Sequence, residues 1–320
     1  MGAEGSDQLS KDIRSLVGPT VDDVRIRRIV GRAAQKVGCS SPPEINAFAS
    51  KVHGSLESMQ RFRAELVAPF RALKVAFVVV DFQNDFVSGS LSIKKGAAGQ
   101  DPKEAIPILN DLLREGEADL VVYTMDWHPP NHVSFYEHCR NADRDLADDD
   151  RGRKLKPFDN VIFDHPQCAQ VLYPTHCVQG SWGSDIDPLL HIVEGARFIK
   201  KGTEVLVDSY SAFQDNLRGR KTDLENMLRS AGIGAVIGCG LAYDICVAAT
   251  LKDSAELGFF TAIVSDASKG LDSTAIASAD AEFLKRRIAK LSQAEASSTL
   301  KKSTVPIEWI EKRADDLLQD

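Results

Sequence analysis

Four apolar runs in this chain end in residues able to do chemistry. Lys74–Phe82 carries Asp81 near its end and leads into Gln83-Asn84-Asp85-Phe86. Leu120–Met125 leads into Asp126-Trp127-His128-Pro129, and Ala196–Lys200 into Lys201-Gly202. Ala235–Cys239 leads into Gly240-Leu241-Ala242-Tyr243-Asp244-Ile245-Cys246. Gathered in one place, these would supply a nucleophile, a general base, a cation and a pair of metal ligands. Asp81 follows an apolar stretch, and partial desolvation raises a carboxyl toward the range of a general base. Cys246 opens the helix expected over Ile245–Leu257, where the helix N-terminus lowers a thiol pKa and its amides can receive an oxyanion. Lys200 and Lys201 compete for the cation's role. Asp126 and His128, one residue apart in an extended segment, face the same side and suit zinc, iron or manganese. His132 and His176 are the candidates for a third ligand. An aspartate capping a turn or a buried structural cysteine would be the plainer reading of each residue alone.

The elements that must hold these residues alternate. Apolar runs bounded by helical patterns (Ile106–Leu113, Leu224–Leu228, Ile245–Leu257, Ala275–Leu291) indicate β-α-β units. The implied fold is α/β, a three-layer parallel sheet with helices on both faces. In such sheets ligands bind at the carboxyl ends of the strands, where all four clusters fall. Residues 1–70 read as a helical N-terminal extension, with apolar residues at helical spacing at Ile26, Ile29, Val30 and Ala33, then Phe48, Val52, Leu56 and Met59. Gly38–Pro43 reads as a break between its helices. The hydrolytic domain is expected over 71–320. Within it, 136–195 interrupts the rhythm, and Asp148-Asp149-Asp150 reads as a solvated loop.

Composition narrows the functions. The chain has 320 residues, 43% apolar and 27% charged, as in a globular protein. A net charge of −7 without a Lys/Arg stripe excludes nucleic acid as an expected partner. No apolar run reaches transmembrane length and no signal-peptide pattern opens the chain, so a cytoplasmic location is expected. Six cysteines without a C-x-x-C pair read as free thiols. Met1-Gly2-Ala3-Glu4-Gly5-Ser6 fits a minimal myristoylation pattern, but one acyl chain without a basic patch anchors weakly, and the plain N-terminus is preferred. No calcium-binding loop pattern is present.

Taken together, V-D-F-Q-N-D-F at 80–86, D-W-H-P-P-N-H-V-S-F at 126–135, Y-P-T-H-C-V-Q-G-S-W-G at 173–183, K-G-T at 201–203, D-S-Y-S-A-F at 208–213 and G-L-A-Y-D-I-C-V at 240–247 resemble the nicotinamidases, within the isochorismatase-like cysteine hydrolases. The resemblance covers roughly residues 72–270 and implies a mostly six-stranded sheet. It implies an Asp-Lys-Cys triad at Asp81, Lys201 and Cys246, and selects Lys201 because that lysine directly precedes the glycine. It implies an oxyanion hole from the N–H groups of Ala242 and Cys246, a cis bond before Ala242, and a ring pocket formed by Phe86, Tyr173 and Leu241. It also implies one divalent metal at Asp126, His128 and His176, with zinc favoured over iron(II) or manganese(II), and His132 or Ser134 at a fourth position. The expected reaction is hydrolysis of nicotinamide through a cysteine thioester in NAD salvage, with pyrazinamide-like analogues as further substrates. Such enzymes are often oligomeric, so a homo-oligomer is expected. Ile245 departs from the tyrosine often found before the nucleophile, and Tyr173 from the usual tryptophan. The alternatives are a metal-independent cysteine hydrolase of another small amide or carbamoyl compound, a silent binding module, and a metallohydrolase.

Overall fold

The computed structural model describes residues 2–37 and 48–319. The break read at Gly38–Pro43 lies outside them, as do the side chains of Phe48, Val52 and Leu56. Two compact units divide the chain: 1–73 with 297–320, and 74–296.

The first unit is helical, with α1 (Gly2–Val17), α2 (Asp23–Lys36) and α3 (Phe48–Arg71). The Asp22 side chain starts α2 by accepting the Val24 N–H at 2.8 Å, satisfying an orphan donor of the first turn. Ile26, Ile29, Val30 and Ala33 form its buried stripe.

The second unit holds six parallel strands flanked by helices: the pattern of runs implied the parallel sheet, and the family resemblance its six strands. In chain order it contains β1 (Val75–Val80), the single turn α4 (Asn84–Val87), α5 (Ala105–Glu115), β2 (Leu120–Asp126), the single turn α6 (Asp148–Arg151) and the hairpin β3 (Asn160–Asp164) and β4 (Gln167–Val171). Then come β5 (Arg197–Lys201), α7 (Leu224–Ser230), β6 (Ala235–Leu241), α8 (Ala248–Glu256), β7 (Phe260–Lys269), α9 (Ser273–Lys285) and β8 (Ala289–Leu291). The sheet order is β5-β2-β1-β6-β7-β8. Every residue of β1 is buried, as a central strand covered on both faces requires. Ala76, Val78 and Val80 pack into one cluster with Val247, Leu251 and Phe283. Each such aliphatic side chain contributes about 1.5–3 kcal/mol when fully buried.

The chain winds outward from β1 through β2 to β5, then returns to β6 beside β1 and winds the other way. Neighbouring connections therefore diverge between β1 and β6, opening a crevice at their carboxyl ends. Asp81 follows β1 and Cys246 follows β6, so the topology brings together residues far apart in sequence.

Several expectations are corrected. The helix read over Ala275–Leu291 stops at Lys285, and the chain turns through Arg287 (φ 55°) into the edge strand β8. The stretch 136–195 contains the β3–β4 hairpin, with its own cluster around Leu146, Val161, Phe163 and Leu172. The acidic run is only partly solvated. Asp150 is buried, accepts the Ile162 N–H at 2.7 Å and pairs with Arg153 at 2.8 Å. After α10 (Gln293–Leu300), the final helix α11 (Ile307–Gln319) belongs to the first unit, not to a domain running to residue 320. Its Ile310, Ala314 and Leu317 form an apolar stripe, while Glu308 and Glu311 pair with Arg25 of α2 at 2.8 and 2.7 Å. Among the described residues, no helix is long and apolar enough to cross a membrane.

Candidate active site

Strand pairing does the first part of the positioning. Lys201, the last residue of β5, is the register partner of Asp126, the last residue of β2. Its ammonium group lies 2.9 Å from Asp81 Oδ2, bonds Asp126 Oδ1, donates to the Ser209 carbonyl at 2.8 Å, and stands 3.4 Å from Cys246 Sγ. Lys200 points elsewhere, its Nζ 3.4 Å from the centroid of the Trp127 ring. Strand alternation thus separates the two lysines. Asp81 has φ 47°, unusual for a residue with a side chain, and is held by the Thr124 hydroxyl, which donates to Oδ1 at 2.6 Å. Carboxylate oxygens of Asp81 and Asp126 and the sulfur of Cys246 lie within 4.8 Å of one another.

Charge in this cluster is shared unequally. Burial raises Asp81 to about 6, Lys201 opposing the rise and Asp126 adding to it. Burial acts on Asp126 in the same direction, but Lys201 and His128 together outweigh it and hold Asp126 below the ordinary carboxyl range. Lys201 stays charged: burial disfavours its cation, and Asp126 and Asp81 more than compensate. The expectation of a lowered thiol pKa is not met. Burial pushes Cys246 well above the usual cysteine value, with Lys201 pulling the other way. Cys246 sits buried in a single π-helical turn, Tyr243–Val247, that feeds into α8, and burial there disfavours the thiolate. The resting thiol is protonated and needs a base at the moment of attack.

The second cluster adjoins the first through Asp126. Ligand atoms of Asp126, His128 and His176 lie within 4.8 Å of one another, and all three residues are buried. His128 Nδ1 bonds the Gly202 carbonyl at 2.9 Å and His176 Nδ1 the Pro174 carbonyl at 2.8 Å, so any ligation falls to the two Nε2 atoms. Burial pulls His128 down but Asp126 holds it above the usual histidine value, so its Nε2 must lose a proton to serve as a ligand. Asp126 commits Oδ1 to Lys201, while Oδ2 lies 3.5 Å from His128 Nε2. Burial lowers His176 to about 4, keeping it neutral as a ligand must be. Two fixed imidazoles and one carboxylate oxygen form a donor set that fits a divalent cation. His132 stacks on His128 with centroids 4.0 Å apart, but its Nε2 is buried without a hydrogen-bond partner and lies 4.0 Å from Asp208. Ser134 Oγ is taken up by His132 Nδ1 at 2.8 Å.

The second cluster and the Cys246 sulfur of the first open into one cavity. Phe86, Tyr173, Ala242 and Cys246 line it, with Asp126, His128 and His176 on its wall. Leu241 is fully buried and does not line it; Ala242 and Ile245 stand there instead. The Leu241–Ala242 peptide bond is cis.

The isochorismatase domain profile matches residues 75–296. The chain belongs to the isochorismatase family. Among its relatives, the nicotinamidase of Acinetobacter baylyi is 36% identical over 203 residues, covering 63% of this chain and 84% of the relative. The solved nicotinamidase/pyrazinamidase of Acinetobacter baumanii is 32% identical with a TM-score of 0.60, covering 70% of this chain and 99% of the other. The pyrazinamidase of Pyrococcus horikoshii, solved in complex with zinc, is 30% identical with a TM-score of 0.52, covering 68% of this chain and 99% of the other.

This isochorismatase-family site also contains residues that sequence reasoning passed over. Thr124 lies inside β2, where it read only as a strand residue. The Gln83 side chain stitches two strand ends together, accepting the Asp126 N–H and donating to the Asp126 carbonyl, both at 2.8 Å. Tyr210 and Asp208, within the 208–213 segment, line the cavity, and Leu91 and Leu271 reach it from loops and Ile93 from a 3-10 turn. The loop residues carry no local signal, because an isolated leucine or isoleucine looks the same wherever it packs.

Proposed function

We propose that this chain hydrolyses nicotinamide to nicotinate and ammonia through a thioester on Cys246, as a step in NAD salvage. The observation that carries the reading is that one cavity presents the Cys246 sulfur, with Asp81 and Lys201 buried behind it, beside the Asp126–His128–His176 set. A ring amide bridging them would present its carboxamide to sulfur and its ring nitrogen to the metal set.

In this reading Asp81 takes the proton of Cys246 as the sulfur attacks the carboxamide carbon. Lys201 keeps Asp81 ionised until then. The resulting oxyanion is received by the N–H groups of Ala242 and Cys246. Protonated Asp81 then gives its proton to the departing amine as the C–N bond breaks. Water, losing a proton to Asp81, attacks the thioester and releases nicotinate, and the proton returns to sulfur. Phe86 and Tyr173 hold the ring between them. When bound, a divalent ion at Asp126, His128 and His176 supplies a contact to the pyridine nitrogen that fixes the ring's orientation. Zinc is the ion we propose, consistent with the zinc-bound relative and the two-imidazole donor set.

The test is ammonia release from nicotinamide, with and without a chelator. Metal-dependent release of ammonia and nicotinate is expected. Background-level release from nicotinamide, with or without metal, would favour the metal-independent hydrolase of another small amide or carbamoyl compound; full activity in a metal-free protein would remove the metal from the scheme.

A pH dependence follows from Asp81. Its proton must be absent for it to act as a base, so kcat/KM should rise with pH through about 6. The same group acts oppositely on stability. Folding raises its pKa from 3.8 to about 6, so its contribution is fully present below 3.8 and lost as pH rises through 6. A pH–rate profile and denaturation midpoints over this window should move in opposite directions; an Asp81→Asn variant should lose both trends.

A further inference from the structure

We infer that Asp85 is a positioning residue for the metal-ligand set, acting through the backbone of Cys177. The inference rests on the metal reading proposed above.

Asp85 lies in α4, is buried, and does not line the cavity. Its Oδ2 accepts the Cys177 N–H at 2.7 Å, and its Oδ1 accepts the Ser90 N–H at 3.0 Å. Among the described residues no Lys, Arg or His side chain pairs with it, so the carboxylate is spent on backbone donors. Hydrogen bonds to an ionised acceptor are the stronger kind.

Cys177 is the joint between the two imidazoles. It directly follows His176, and its carbonyl accepts the His128 N–H at 3.0 Å. The His128 carbonyl in turn accepts the Gln179 N–H at 2.9 Å. Cys177 adopts φ 45°, a conformation that a residue with a side chain keeps only when its surroundings impose it. The Asp85 carboxylate holds the N–H side of that joint, and His128 the carbonyl side.

The space around the carboxylate is reserved by glycine. A Cβ at Gly183 or at Gly89 would run into the Asp85 side chain. Two positions without side chains therefore let one carboxylate reach two backbone segments. Displacing it releases the Cys177 turn and with it the bearing of His176 relative to His128.

The experiment compares zinc affinity, by competition with a chromophoric chelator, in the wild type, Asp85→Asn, Gly183→Ala and His176→Ala. Asparagine keeps the shape of Asp85 but turns an amide N–H toward one of the two donors. About 10- to 100-fold weaker zinc binding is expected for Asp85→Asn, the range for groups that orient metal ligands. Gly183→Ala, which crowds the carboxylate without removing it, should weaken zinc in the same direction. Saturating zinc should restore kcat in both, a recovery that a merely structural defect would not show. A folded Asp85→Asn or Gly183→Ala protein with wild-type zinc affinity overturns the inference. A wild type that takes up no zinc, indistinguishable from His176→Ala, overturns the metal reading itself and this inference with it.

Discussion

Cys246→Ala should abolish ammonia release from nicotinamide by about four to six orders of magnitude while leaving the protein folded and its metal uptake unchanged. The expectation combines three features. Once deprotonated, the sulfur is the best nucleophile in the Asp81–Lys201 cluster. It lies 3.4 Å from the Lys201 ammonium and faces the cavity. It is not one of the Asp126–His128–His176 donors, so its loss removes the nucleophile without removing a proposed ligand. Stability should change by about 1 kcal/mol, as for an ordinary substitution. Because the buried thiol is protonated at rest, Cys246→Ser should fare no better: a hydroxyl gives up its proton still less readily to a base near pKa 6. Acid-quenched wild type should carry a nicotinoyl adduct that the alanine variant lacks. A metal-activated water would instead leave Cys246→Ala with metal-dependent turnover near the wild-type rate, and that result would replace the thioester scheme.

Lys201→Met should be the most destabilising single change at the site. Two buried carboxylates, Asp81 and Asp126, share this one ammonium group, and methionine fills a similar volume without the charge. Removing one partner of a buried ion pair costs about 3–5 kcal/mol, because the remaining charge stays desolvated. With the cation gone, both carboxyls favour their protonated forms. The deficit should therefore be largest at neutral pH and shrink toward pH 5. Turnover should fall by about 10²–10⁴-fold, since Asp81 would no longer be held ionised and ready. Urea denaturation of the metal-free proteins at pH 5 and pH 8 separates charge from packing. A deficit equal at both values would show that the stem of Lys201, not its charge, matters.

The legible part of this molecule was its strand ends. A carboxylate, an imidazole or a cysteine just beyond an apolar run is informative because a parallel sheet turns all such ends toward one rim. That logic reached Asp81, Asp126, His128 and Cys246 from the residues alone, while the choice of Lys201 and His176 came from the family resemblance. Three kinds of information were out of reach. Short elements such as β8, a three-residue strand, hide inside the preceding helical pattern. Charge runs do not reveal which member is buried, and Asp150 is, among solvated neighbours. Local electrostatics set by burial is invisible in sequence as well: a helix start suggests a low thiol pKa, and the desolvation that reverses it around Cys246 depends on residues from four separate strands and their loops. The return of α11 to the N-terminal helices was hidden because an amphipathic helix states that it has a partner without saying which one.

The contrast between Lys200 and Lys201 has a consequence for how this chain can vary. Both sit on β5, an edge strand paired along one side only, whose residues alternate between exposed and buried after Phe198. Two adjacent lysines make the phase of that strand ambiguous, since a slip by one residue would still deliver an ammonium group to the cluster while reversing every other side chain. The Lys200 contact with the Trp127 ring, of a kind that contributes about 0.5–2 kcal/mol, breaks the tie. Trp127 stands between Asp126 and His128, so the residue that reads the phase of β5 is embedded in the segment that depends on it. A single-residue insertion in β5 would thus be felt as a frameshift within the folded structure, in a strand whose edge position would otherwise make it forgiving.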